Sequence, residues 1–221
     1  MCGRFTFVAN PDEVAEEYEL DQPFDFPARY NIAPTQEILT VVNDGEKNRA
    51  GTMKWGLVPF WAKDQKIGHK MINARAETAD EKPSFKRLME RRRCLILADS
   101  FYEWKKTDDG KQPVRIKIPD RNLFAFAGLW DRWRRDSEEL VTCTILTKEA
   151  DDFMSDIHHR MPVILPKEQE QDWLDFNLKD ATEMKKFVLS LPKQHLEAYS
   201  VSQYVNNPRN DDEACITALT D

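Results

Sequence analysis

The chain of 221 residues carries 32 Lys and Arg against 39 Asp and Glu, a net charge of −7, with 41% hydrophobic, 32% charged and 10% aromatic residues. That composition excludes a disordered or collagen-like polymer, and with no apolar run of 18 residues it excludes a transmembrane helix. The negative total also removes the global basic footprint of many DNA-binding proteins, so any nucleic-acid site has to be a local patch.

From the start, Met1-Cys2-Gly3-Arg4-Phe5 lacks the apolar stretch of a secretory signal, and the expected location is the cytoplasm. Asn10 before Pro11, Asp12 and Glu13 predicts a helix start with Val14 and Tyr18 on its apolar side. Strands are predicted over 38–42, 53–58, 94–98, 101–105, 114–118, 124–129 and 141–146. Val114, Ile116 and Ile118 alternate with Arg115 and Lys117, the period of a strand with one wet face, and Asp109-Gly110 supplies the hairpin turn before it. Helices are predicted over 84–90, 167–176 and 181–191, and a last strand over 196–201. Many short strands with a few peripheral helices imply an α+β domain on a curled, barrel-like antiparallel sheet. No Gly-rich phosphate loop is present, so no nucleotide cofactor is expected. Cys2, Cys94, Cys143 and Cys215 form no C-x-x-C pair, which argues against a zinc ribbon and against a disulfide framework.

Four places carry candidate chemistry. Trimming of Met1 would leave Cys2 as a free 1,2-aminothiol. An α-amine is roughly 300-fold richer in free base near neutral pH than a lysine, so it attacks an aldehyde first and the thiol then closes a thiazolidine ring. The competing reading makes Cys2 a small buried hydrophobe. Asn73-Ala74-Arg75-Ala76-Glu77-Thr78 is either a capped turn or a group that orients a phosphate or sugar. Phe101-Tyr102-Glu103-Trp104 sets a carboxylate among aromatics, a proton shuttle if buried and a solvent-facing strand residue otherwise. Ile157-His158-His159-Arg160-Met161-Pro162 makes a poor metal pair, because adjacent histidines in extended chain point apart; one catalytic or one structural imidazole remains. A nucleic-acid patch would draw on Arg4, Arg75, Lys86, Arg87 and Arg91 to Arg93, with Trp55, Phe60 and Trp61 as stacking platforms.

These segments, together with Arg29-Tyr30-Asn31-Ile32-Ala33-Pro34, Trp55-Gly56-Leu57-Val58-Pro59, Val201-Ser202 and Val205-Asn206, stand in one order that resembles the SOS response-associated peptidase family from residue 1 to about residue 212. The resemblance implies a single α+β domain over 1–221 that acts on single-stranded DNA containing abasic sites. The N-terminal cysteine would link covalently to the ring-opened aldehyde as a thiazolidine and shield the site from strand cleavage. It implies Cys2 as nucleophile, Asn73 and His158 holding the opened sugar, and Glu103 as acid and base. The DNA-contacting set taken on this basis is Arg4, Asn31, Pro34, Trp55, Trp61 and Arg75, with no metal, no cofactor and a monomer. Autopeptidase and lyase-like activities are associated with it. Two other readings remain at this stage: a Cys2–His158 peptidase acting on acyl substrates, and a noncovalent reader of flipped bases.

Overall fold

Cys94-Leu95-Ile96-Leu97-Ala98 does not alternate, and a run of this kind is stable as a strand only where both faces are covered. In the computed structural model, which describes residues 2–119 and 121–219, every residue of this strand is buried. The strands are β1 (Phe5–Phe7), β2 (Arg29–Ile32), β3 (Glu37–Asn43), β4 (Asn48–Trp55), β5 (Asn73–Arg75), β6 (Arg93–Ala98), β7 (Ser100–Thr107), β8 (Gly110–Lys117), β9 (Phe124–Arg135), β10 (Glu138–Glu149), β11 (Arg160–Pro162), β12 (Ile164–Leu165) and β13 (Glu197–Ser200). The helices are α1 (Pro11–Glu17), α2 (Lys86–Arg91), α3 (Asp152–Ser155), α4 (Glu170–Leu174) and α5 (Ala181–Ser190).

Strands β9, β10, β4, β3 and β6 pair in a ring, so the expected barrel-like core is a closed five-stranded barrel. The sheet is not wholly antiparallel as expected. Strand β10 runs parallel to β4 and to β5, because a long connection, not a hairpin, delivers it to their side. A second sheet, ordered β13-β8-β7-β1-β2, leans on the barrel. Phe5 of β1 makes the joint: its ring meets Trp55 at 5.2 Å and Phe126 at 5.8 Å, edge to face. Phe126 continues the cluster to Phe101 and Phe124. Such pairs add about 0.5–1.5 kcal/mol each beyond the area they bury.

Local signals in the sequence explain several boundaries. The Asn10 side chain accepts from the Asp12 backbone N–H and Pro11 opens α1, as predicted. The β7–β8 hairpin turns on Asp108-Asp109, one residue earlier than predicted, with Gly110 at φ +124° opening β8. Val114 and Ile116 of β8, and Ile118 beyond it, are buried while Arg115 and Lys117 are half-buried, the alternation expected. The predicted helix over 167–176 is shorter, a 3-10 turn at Lys167–Gln169 leading into α4. Among the described residues no helix is long and apolar enough to cross a membrane.

Candidate active site

Cys2 reaches the interior because the chain enters directly into β1. Phe5 faces Phe101 and Thr6 faces Ser100 across the β1–β7 pair, and the Tyr102 N–H donates to Arg4 O at 2.9 Å. Continuing that antiparallel register sets Gly3 against Glu103, one residue from Cys2. Both Cys2 and Glu103 are buried, so the strand carrying Glu103 is covered on both faces and the solvent-facing alternative is removed. Burial first, and the charge of Glu103 second, push the Cys2 thiol far above the ordinary thiol range.

Asn73 arrives from the other side. The Trp55 indole N–H donates to Ile72 O at 2.9 Å and the Ile145 N–H donates to the same carbonyl, fixing the entry to β5. The Asn73 amide Nδ2 then donates to Cys2 O at 2.9 Å. Asn73 therefore grips the backbone of the candidate nucleophile, and the capped-turn alternative does not describe it.

His158 follows α3, whose Asp151 side chain caps the Met154 N–H. Its Nδ1 lies 3.0 Å from the Arg160 backbone N and 3.1 Å from the Arg160 carbonyl O, contacts that fix the ring against the start of β11. Strand β11 beyond it and strand β5 flank β10 and overlap at Thr147, so the Asn73 and His158 segments are built on one shared strand. A pair the sequence reading did not single out locks them together. Arg160 Nη1 and Nη2 donate to Glu77 Oε1 and Oε2 at 2.7 and 2.9 Å, and Nη2 also donates to Thr147 O at 2.8 Å. Burial raises the Glu77 carboxyl, but the Arg160 bonds outweigh it and hold the group below the ordinary glutamate range. Both residues stand inside segments already singled out, and a complementary Glu and Arg in two such segments was the available signal.

The predicted DNA-contacting residues divide. Trp61 is 50% and Phe60 52% exposed, Arg75 is exposed, and Pro34 is half-buried beside Thr35, whose φ is +76°. Two of the set need correction. Trp55 is fully buried in the aromatic joint, so it offers no ring face to a base; its position under β5 makes it a support for Asn73. Asn31 is likewise fully buried. Its Oδ1 accepts from Arg4 Nη1 at 2.7 Å, and its Nδ2 donates to the carbonyls of Val205, Asn207 and Asn210. Arg4 itself is tied inward, donating also to Val205 O at 2.8 Å and lying over the Trp104 ring. Arg93 leaves the basic patch too: it is buried, and donates to Met89 O, Trp173 O and Asp175 O. Lys86, Arg87 and Arg91 stay exposed, with Arg87 over the Phe60 ring at 5.2 Å.

All four cysteines are free and buried. Among the described residues no three His, Cys, Asp or Glu side chains cluster as a metal ion would require.

The sequence matches the family model described as SOS response associated peptidase (SRAP) over residues 1–208. It is 49% identical over 216 residues to the abasic site processing protein YoqW of Bacillus subtilis, with 96% of each chain covered. Against the abasic site processing protein YedK of Escherichia coli it is 31% identical over 218 residues, covering 95% of this chain and 96% of that one. A crystal structure of a protein from Bacteroides thetaiotaomicron superposes with a TM-score of 0.86 at 25% identity, covering 99% of this chain and all of the other. With a family model spanning nearly the whole sequence and relatives matched end to end, the chain belongs to the SOS response associated peptidase family.

Proposed function

We propose that this protein captures abasic sites in single-stranded DNA by condensing Cys2 with the ring-opened sugar to form a thiazolidine crosslink. The observation that carries the reading is the treatment of Cys2, whose backbone carbonyl is held by Asn73 and whose thiol is kept un-ionised by burial and by the charge of Glu103. An un-ionised thiol leaves the first attack to the α-amine, the order that an aldehyde requires. The relatives' name, abasic site processing protein, supports the same substrate.

The steps balance without a cofactor. After removal of Met1, the Cys2 amine adds to C1′ of the aldehyde to give a carbinolamine, and loss of one water gives the imine. The Cys2 sulfur then adds to the imine carbon while its proton passes, through Glu103, to the ring nitrogen. His158, its ring fixed by the Arg160 backbone, serves the proton transfers on the sugar. Shielding follows because the trapped aldehyde no longer drives β-elimination. Lyase cleavage branches from the same imine, and peptidase action would be removal of the protein's own first residue; both belong to the same reading as side activities of a cytoplasmic monomer.

The test is a denaturing gel of protein with a confirmed Cys2 terminus and a single-stranded oligonucleotide bearing one abasic site. The expected result is a heat-stable shifted band that is absent with an intact oligonucleotide and absent for Cys2→Ala. A Cys2→Ala protein that shifts as much as wild type overturns the mechanism, and a shortened oligonucleotide without a shift makes the protein a lyase.

A further inference from the structure

Neighbouring side chains in extended backbone point to opposite sides, yet the rings of His158 and His159 stack with centroids 4.3 Å and planes 28° apart. The turn after α3 produces this: the His158 N–H donates back to Met154 O at 2.8 Å, and the Ala150 N–H donates to His159 O at 3.1 Å. The inner ring is anchored through Nδ1 to the Arg160 backbone, whereas the outer ring, His159, is exposed. The stack therefore presents one imidazole to solvent at the mouth of the β10–β11 pair.

The charges around His159 come from three elements. Its own segment contributes His158, Arg160, Asp151, Asp152 and Asp156; β10 contributes Lys148 and Glu149; the β5 side contributes Arg75 and Glu77. Glu77 is engaged by Arg160 and by the Glu149 N–H, and Asp152 by Lys193. His158 above all, then desolvation and the positive charge of the terminal amine, with Arg160 and Arg75 adding, hold His159 below the ordinary histidine range. An exposed imidazole beside exposed Arg75 is thus neutral until an anion arrives to offset those cations.

We propose that Arg75 and His159 together bind a backbone phosphate of the strand that reaches Cys2, and that His159 takes one proton from solvent when that phosphate is bound. The proposal rests on the DNA reading above and adds a regulation to it. Capture of the strand is coupled to proton uptake, and in the free protein no standing charge on the outer ring opposes proton movement at the inner one. The phosphodiester keeps its single negative charge, and the new proton completes a charge-assisted hydrogen bond.

The test measures equilibrium binding of an intact single-stranded oligonucleotide by fluorescence anisotropy between pH 5.5 and 8 for wild type, His159→Asn and His159→Lys. Wild-type affinity is expected to rise roughly three- to tenfold as the pH falls from 7.5 to 5.5, by linkage to about one proton. His159→Asn should flatten that rise. His159→Lys should bind with little pH dependence and steepen the log–log salt slope at pH 7.5 by about 0.7, one further phosphate neutralised. Unfolding midpoints of both variants, at an exposed position, establish that they are folded. If His159→Asn keeps the wild-type pH dependence, or His159→Lys leaves the slope unchanged, the proposal is wrong. Because this strand has no abasic site, that outcome is separate from failure of the covalent reading, which the Cys2→Ala gel decides.

Discussion

At the scale of single residues, Cys2 is governed by two opposing needs. Burial and the neighbouring carboxylate suppress its thiolate, yet ring closure requires the sulfur to give up a proton. On the proposed mechanism one group, Glu103, both suppresses the thiolate and accepts the proton at closure. Replacing it separates the two roles. Glu103→Gln removes the negative charge and lowers the Cys2 thiol pKa, so Cys2 ionises at lower pH, while crosslink formation slows roughly a hundredfold for want of the base. Thiolate absorbance measured as the difference from Cys2→Ala reads the first effect, and a single-turnover gel reads the second. If the thiol titration is unchanged, or crosslinking keeps its rate, Glu103 is structural. Position in sequence alone left Glu103 balanced between a wet and a dry face; the decision came from the fold, which buries Glu103 together with Cys2.

At the scale of elements, the site is held by short strands that have no stability of their own. Strands β5 and β11 are three residues each, and their hold on β10 overlaps at Thr147. The Glu77–Arg160 pair supplies the clamp that hydrogen bonding over three residues does not. Because the folded-state pKa of Glu77 lies below its unfolded value, the clamp's contribution is fully present above the unfolded pKa and is lost as pH falls through the folded one. Stability and crosslinking should therefore share an acid limb below the ordinary glutamate range, and Glu77→Gln should flatten that limb in urea unfolding measured from pH 3 to 6. Glu77→Ala leaves a buried guanidinium without its main partner and should cost roughly 2 kcal/mol. An acid limb identical in wild type and Glu77→Gln would show that other carboxylates set it. Period-two and period-3.6 patterns located the barrel strands and α1, because those elements bury a stripe of side chains. They were silent on β5, whose formation is decided by a partner strand some 70 residues away and by the Glu77–Arg160 pair that follows it.

At the scale of the whole molecule, the 205–211 stretch returns to Arg4 and β2 near the start of the chain. Arg4 and Asn31 hold Val205 O, Asn31 also holds Asn207 O and Asn210 O, and the carboxylate of Asp211 accepts from the backbone N–H of Asn31 and pairs with Arg29. No local pattern in residues 203–215 announces this, since carbonyl groups leave no trace in sequence and the segment is mostly polar 3-10 turn. The burial of this amide is instead explained by its geometry: Asn31 Nδ2 faces three carbonyls of the 205–210 stretch and its Oδ1 faces Arg4, so one side chain ties β2 to that stretch and to the start of the chain. Asn31→Ala should remove the donor to the Asn207 and Asn210 carbonyls and leave the Arg4 guanidinium with Val205 O in place of two acceptors, costing about 3 kcal/mol in urea unfolding. The loss should be local as well as global. Amide exchange should accelerate first across 203–215, and the crosslinking rate should fall with Cys2 still present, because Arg4 is two residues from Cys2 and loses one of its two acceptors. Equal protection of 203–215 in Asn31→Ala and wild type would mean that Asp211 and the Val201–Ala218 bridge hold the segment by themselves, leaving Asn31 no part in fixing the start of the chain.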